Sequence, residues 1–253
     1  VYFQIFNINL NHKMEHVVSV IIPTFNRFGF LLNALKSVKE QTYKNIEIIV
    51  VNDYSTEKEY YEYAWRENGI TIIHLEQNTK KLFGFACAGY VRNKGIEAAH
   101  GTFIAFCDDD DMWFPSKIEL QMNAMQNASC DMACTDGLIG TGVYDANKSY
   151  QKYNAEHYYD VLKNIYKSKN SDCLTNGFPE IWTLDFIRIH NCIICSSVLI
   201  RKDVLDKINN MKCVPNGEED YDCWLRALTH ANCVYVPNVC FYYDNGHGYG
   251  RDY

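Results

Sequence analysis

From Val17 onward, short runs of consecutive apolar residues alternate with stretches in which apolar positions recur every three or four residues. The run VVSVII (17–22) has the unbroken character of a strand buried on both faces. Phe28, Leu31, Leu35 and Val38 then fall on one helical face. IEIIVV (46–51) and ITIIHL (70–75) predict a second and a third strand, with a polar, Tyr-rich helical stretch between them. GYVRNKGIEAA (89–99) predicts a helix ending at Gly101, and TFIAFC (102–107) a fourth strand. After Pro115, SKIE places Ser116 and Glu119 at capping-box spacing, and Ile118, Met122 and Met125 form an inward stripe. The second half is less regular. Residues 139–175 are rich in Gly, Asn, Lys and Tyr and read as long loops with at most one helix. CIICSSVLI (192–200) predicts a strand and EDYDCWLRAL (219–228) an amphipathic helix.

Strands alternating with helices imply an α/β fold whose mostly parallel sheet is covered on both faces. In such sheets ligands bind outside the carboxyl ends of the strands. Thr24, Asp53 and the tetrad Asp108 to Asp111 all follow predicted strand ends, so they converge on one edge.

At 253 residues and 47% hydrophobic, the chain can bury one substantial core. Its formal net charge of -7 argues against a nucleic-acid partner, which needs a basic face. That charge leaves room for a ligand whose phosphates are neutralised by a metal. The 11 cysteines are scattered through apolar stretches, as at Cys107, Cys195, Cys223 and Cys233, in the manner of buried, reduced thiols. Cys192 and Cys195 lack the second CxxC or nearby His pair that a zinc site would need. No apolar run approaches the roughly 18 residues of a transmembrane helix, and no signal-peptide pattern is visible. The expectation is a soluble, cytoplasmic protein, with peripheral membrane association compatible. The opening VYFQ resembles the scar of a cleavable tag, so residues 1–13 are set aside as a tag or disordered extension. Residues 14–253 are read as one domain.

Four consecutive carboxylates at the end of an apolar strand need a positive partner. Helix capping and the helix dipole would occupy one or two of them, each contributing roughly 0.3–1 kcal/mol. Four add repulsion with no further gain. A divalent cation is the better partner, because hard oxygen ligands suit Mg²⁺ or Mn²⁺ and few protein ligands leave positions open for phosphate oxygens.

The segments VSVIIPTFNR (18–27), SVKEQTYKNIEIIVVND (37–53), VRNKGIEAAHGTFIAFCDDDDMW (91–113) and EEDYDCWLR (218–226) together resemble the family 2 glycosyltransferases of the GT-A fold. The resemblance is close over 17–130 and looser over 185–245. A DxD-like string alone is common, and the signal lies in four motifs in the right order. It implies a Rossmann-like nucleotide-binding fold, with about 17–130 as the nucleotide-sugar half and about 131–253 as the acceptor and catalytic-base half. The implied activity is metal-dependent, inverting hexosyl transfer in glycan biosynthesis. The donor would be a nucleotide-diphosphate sugar, foremost a UDP-sugar, and the acceptor a hydroxyl on a carbohydrate, lipid-linked or protein-linked molecule. The implied cofactor is Mn²⁺ or Mg²⁺. By the same resemblance Thr24 and Asp53 belong to the base pocket, and Arg92 stands where the family has an Arg. The resemblance would place Asp108 and Asp109 near the ribose and metal and Asp110 directly on the metal, while Asp111 is expected to stay with the following helix. By the same resemblance Asp220 would be the catalytic base, and His247 would match a His that completes the metal or diphosphate site in some members.

Simpler roles exist for several of these residues. Asp220 begins a predicted helix, where acids complement the dipole. Asp53 can shape a turn, Arg92 can face solvent, and a His in a Gly-rich tail can be a surface residue. The second strand ends Asn52-Asp53-Tyr54-Ser55, where the family commonly has a double Asp followed by Gly-Ser. The loop NTKKLFGFACAG (78–89) is longer than expected, and its Lys80 and Lys81 can reach phosphates or face solvent. Two other functions fit the same architecture: a degenerate relative that binds a nucleotide sugar or carbohydrate without turnover, and a sugar nucleotidyltransferase. The latter needs a Gly-rich, basic loop after the first strand, which PTFNRFGF is not.

Overall fold

The computed structural model describes residues 16–246. The expected tag region 1–13 and His247 lie outside the described residues. The first half alternates strand and helix as the apolar pattern predicts. In order come β1 (Val18–Thr24), α1 (Phe28–Lys39), β2 (Ile46–Asn52), the short α2 (Glu59–Glu62) and β3 (Ile70–His74). They are followed by α3 (Thr79–Phe83), α4 (Ala88–Ala98), β4 (Phe103–Phe106), the two-residue β5 (Met112–Trp113) and α5 (Lys117–Ala128). The second half supplies β6 (Met132–Gly140), β7 (Gln151–Lys152), a π-helical turn (Tyr153–His157), α6 (Tyr159–Ser168), β8 (Ile181–Trp182) and α7 (Leu184–Ile187). A 3₁₀ turn (Cys195–Ser197), β9 (Leu199–Arg201), α8 (Lys202–Lys207), α9 (Glu219–Ala227) and β10 (Cys233–Asp244) complete it.

Among the described residues one sheet runs through both halves in the order β3-β2-β1-β4-β9-β6-β10-β5. β1 to β4 pair in parallel, β9 is antiparallel to both β4 and β6, and β10 is parallel to β6. The six strands β1 to β4, β6 and β10 therefore point the same way, and their carboxyl ends share one edge.

Successive residues of the strands enter opposite cores. Ile21, Ile49, Ile104 and Phe106 join one core with Val91 and Ile96 of α4 and Trp224 and Ala227 of α9. Val20, Ile22, Val50 and Ala105 join the opposite core with Leu31, Leu35 and Val38 of α1 and Ile118 and Met125 of α5. Full burial of each such aliphatic side chain stabilises the fold by about 1.5–3 kcal/mol, which explains why these strands read as continuous apolar runs. Gly95 lets α4 lie close on β1, since a Cβ there would sit 2.5 Å from Ile21 Cγ2.

Several expectations change. CIICSSVLI is not one strand: only Leu199–Arg201 pairs, and Cys195–Ser197 forms a 3₁₀ turn. That turn places Ser196 under the acid tetrad, where its Oγ accepts the Asp108 N–H at 2.9 Å. The Ser116–Glu119 capping box does not form, because Glu119 accepts instead from Thr42 Oγ1 at 2.7 Å. Asp111 does not stay with the helix that follows, since β5 and Pro115 intervene and its Oδ1 accepts the Asp244 N–H at 3.0 Å. The cysteines are not all thiols. Cys87 and Cys213, with Cα atoms 5.6 Å apart, are joined in a disulfide, and the other nine are free. Of the free ones all but Cys173 are buried, in keeping with the apolar stretches that hold them.

Candidate active site

The parallel register sets the site. Thr24 pairs with Asn52 across β1 and β2, and the Cys107 N–H donates to the Ile21 carbonyl at 3.1 Å. Thr24, Asp53 and the tetrad thus leave the sheet together, at the edge where ligands bind in such folds. β10 ends at Asp244 on the same edge and is tied to the tetrad through Asp111.

Among the described residues, two arginines pair with the tetrad. Arg27 Nη1 lies 3.0 Å from Asp110 Oδ2 and 3.5 Å from Asp109 Oδ1. Arg92 Nη2 donates to Asp108 Oδ1 at 2.6 Å, while its Nη1 donates to Glu219 Oε1 at 3.2 Å. Arg92 is therefore a buried bridge, not a solvated helix residue, and it ties the tetrad to the acids that open α9. Burial alone would lower its guanidinium pKa, but Asp108 and Glu219 more than offset this and hold it charged.

The four acids are unequal. Asp109 is buried against β1, where the Thr24 hydroxyl and the Phe25 N–H hydrogen-bond to it. Burial pushes its carboxyl up to about 6 despite Arg27. Asp110 is pushed further, to about 8, by burial and then by the charges of Asp109 and Asp108. Asp111 is raised well above the usual carboxylate range, mainly by burial, and among the described residues its Oδ2 meets no hydrogen-bond partner. Asp108 is the most open, with 27% of its side chain exposed against 9% for Asp110.

Thr24 and Asp53 are at the expected edge, and both are buried. Thr24 Oγ1 lies 2.6 Å from the Tyr60 hydroxyl. Asp53 accepts the Thr79 N–H at 2.8 Å and the Thr79 hydroxyl at 2.6 Å, and Asn78 Nδ2 approaches at 3.2 Å. Burial raises its carboxyl to about 6. Asp53 thus braces the start of α3 against the end of β2, and the stretch 78–89, expected as a long loop, is largely taken up by α3 and the start of α4. Tyr54, standing where the family has Gly, sits at φ +62°, in the left-handed region that favours glycine.

Asp220 lies in the first turn of α9, its Oδ1 accepting the N–H of Tyr221. Desolvation, then the charge of Glu219, raises its carboxyl to about 7, against the opposing pull of Arg92. A carboxylate poised there is half deprotonated near neutrality, which suits a general base.

Among the described residues no three His, Cys, Asp or Glu side chains form a ready-made ion cage. The donor chemistry nevertheless fits a hard divalent cation. Asp108 and Asp110 offer carboxylate oxygens within one turn of chain, and beside Asp110 stand the further acids Asp109 and Asp244, which with burial raise its carboxyl against the pull of Arg27. Arg27, Glu219 and Asp244 are functional candidates that the sequence reading passed over. The signals were an Arg directly after the first strand, an acid beside Asp220, and an Asp closing the run CFYYD.

The model of glycosyl transferase family 2 matches residues 19–205. An uncharacterised glycosyltransferase of Rickettsia bellii is 41% identical over 166 residues, covering 65% of this chain and 20% of the relative. A Bacillus subtilis protein named for teichuronic acid biosynthesis, TuaG, is 31% identical over 230 residues, covering 88% of this chain and 77% of the relative. The chain spans about a fifth of the length of three Rickettsia relatives, those of R. bellii, R. felis and R. conorii. Among solved structures, S. aureus TarS 1-349 in complex with UDP-GlcNAc superposes with TM-score 0.67 at 18% identity, covering 91% of this chain and 59% of that one. The mannosyltransferase PcManGT of Pyrobaculum calidifontis, in complex with GDP-Man and Mn²⁺, gives TM-score 0.59 at 18% identity, covering 92% and 58%. These likenesses show the GT-A fold.

Proposed function

The chain belongs to glycosyl transferase family 2, and from that premise we propose that it moves a sugar from a nucleotide-diphosphate donor, foremost a UDP-sugar, to an acceptor hydroxyl with inversion. The observation that carries this reading is the Arg92 bridge, which brings the donor-side acid Asp108 and the α9 acids into one cleft. Neighbours solved with UDP-GlcNAc and with GDP-Man and Mn²⁺ support the donor class.

In this account Asp110, assisted by Asp108, would hold Mn²⁺ or Mg²⁺ together with the donor diphosphate. Bound there, the ion supplies Lewis-acid stabilisation of the leaving group. The acceptor hydroxyl attacks the anomeric carbon as the bond to the diphosphate oxygen breaks, and Asp220 takes the hydroxyl proton. Glu219 and Arg92 hold the start of α9 against the donor acids, so the base is positioned by the same contact that orders Asp108. Asp53 and Thr79 fix the start of α3 beside the base pocket. The acceptor, a carbohydrate or a lipid- or protein-linked hydroxyl, is met by the region between β6 and β9. Among the described residues no helix is long and apolar enough to cross a membrane.

Asp220→Asn tests the mechanism. The variant should bind donor with wild-type affinity and lose transfer by about 10²–10⁴-fold, the usual contribution of a general base. Equal transfer by variant and wild type would remove Asp220 from the role.

A further inference from the structure

Arg27 stands where β1 ends, α1 begins and the acid tetrad closes over both. Its main chain is pinned: its N–H donates to the Tyr60 hydroxyl at 3.0 Å, and the next N–H, of Phe28, donates to Glu57 Oε2 at 3.0 Å. Its guanidinium crosses the cleft to Asp110 and Asp109, 83 residues along the chain from Arg27 to Asp110. Only 13% of the side chain is exposed. Asp108, the other donor-side acid, is already held by Arg92. The carboxylate expected to bind a cation directly therefore already carries a protein cation.

Building on the metal–nucleotide reading above, we propose that Arg27 is a positioning residue that competes with the divalent cation for Asp110 and so makes cation binding depend on the nucleotide diphosphate. Two positive charges sharing one carboxylate repel at short range, so a bare cation must displace the guanidinium with nothing offered in return. A metal–diphosphate complex brings its own negative oxygens. Arg27 can move from Asp110 to those oxygens, which its planar fork of donors matches as well as it matches a carboxylate. The pinned backbone keeps the guanidinium within reach of the cleft throughout, and Asp109 retains its contacts with Thr24 and Phe25. The consequence is ordered loading: the ion enters with the nucleotide instead of before it.

Mn²⁺ titrations followed by electron paramagnetic resonance, with and without UDP, test this on the whole chain. Arg27→Gln should bind Mn²⁺ alone about tenfold or more tightly than the wild type, the effect of removing one like charge from a few ångströms away. UDP should strengthen Mn²⁺ binding strongly in the wild type and much less in Arg27→Gln. Arg27→Lys, which keeps the charge, should stay near wild type for Mn²⁺ alone and guards against a folding effect, with thermal melting as the check. If UDP-loaded wild type binds Mn²⁺ and Arg27→Gln binds bare Mn²⁺ no more tightly than wild type does, the role of Arg27 is overturned and the metal reading stands. If Mn²⁺ binds none of the proteins with or without UDP, both fall.

Discussion

Arg92 and Glu219, 127 positions apart in sequence and both buried, meet at 3.2 Å. Through the other arm of the same guanidinium, the first acid of the tetrad is locked to the helix that carries the proposed base. Removing one partner of a buried pair strands the other charges, which costs roughly 3–5 kcal/mol. Arg92→Ala should therefore lower thermal stability by that order. Arg92→Lys, which retains the charge but cannot span both carboxylates, should lose less stability and still impair transfer. Calorimetric melting beside transfer rates checks both. An Arg92→Ala protein with wild-type stability would show that the bridge is not a structural tie.

Asp220 gives the expected pH dependence. Its carboxyl, raised to about 7 by burial and then by Glu219, is protonated below that pH and cannot accept a proton. Transfer should rise with pH through about 7, and Asp220→Asn should flatten this limb. Stability has the opposite sign. The folded state keeps a proton that the unfolded chain releases above the ordinary value of 3.8, so the contribution of this group to stability falls as pH rises from about 4 to about 7. A pH–rate profile and melting curves over the same range measure both.

The α/β alternation, the shared strand edge and the tetrad were legible because each is local. An apolar run buried on both faces, a helical stripe and a charge string need no partner to be recognised. What was not legible depends on distant segments. β10 carries Pro237 and two register shifts against β6, which break the apolar run that would have marked a strand. The Ser196 turn interrupts a run that looks uniformly strand-like, because its position is set by bonds to Asp108 and Trp113. Arg27 was visible as a residue and invisible as a partner. Reading the tetrad's charge as a matter for a metal alone left no place for a guanidinium arriving from the end of β1.

Tyr54 offers a backbone test. At φ +62° and half exposed, it occupies a conformation that costs an L-residue roughly 1–2 kcal/mol. Tyr54→Gly should leave the melting temperature unchanged or raise it, since relief of that strain offsets the extra freedom of the unfolded chain. Tyr54→Val, β-branched at a positive φ, should lower it. Equal melting of the two variants would mean that the turn adopts another backbone conformation.

A thermal-shift panel of nucleotide sugars, each with and without Mn²⁺, tests the central claim most directly, because a ligand bound to the folded state raises its apparent stability by mass action. At least one UDP-sugar should raise the melting temperature in the presence of Mn²⁺ and much less in its absence, and Asp110→Ala should abolish the difference. No Mn²⁺-dependent shift with any nucleotide sugar would contradict the account.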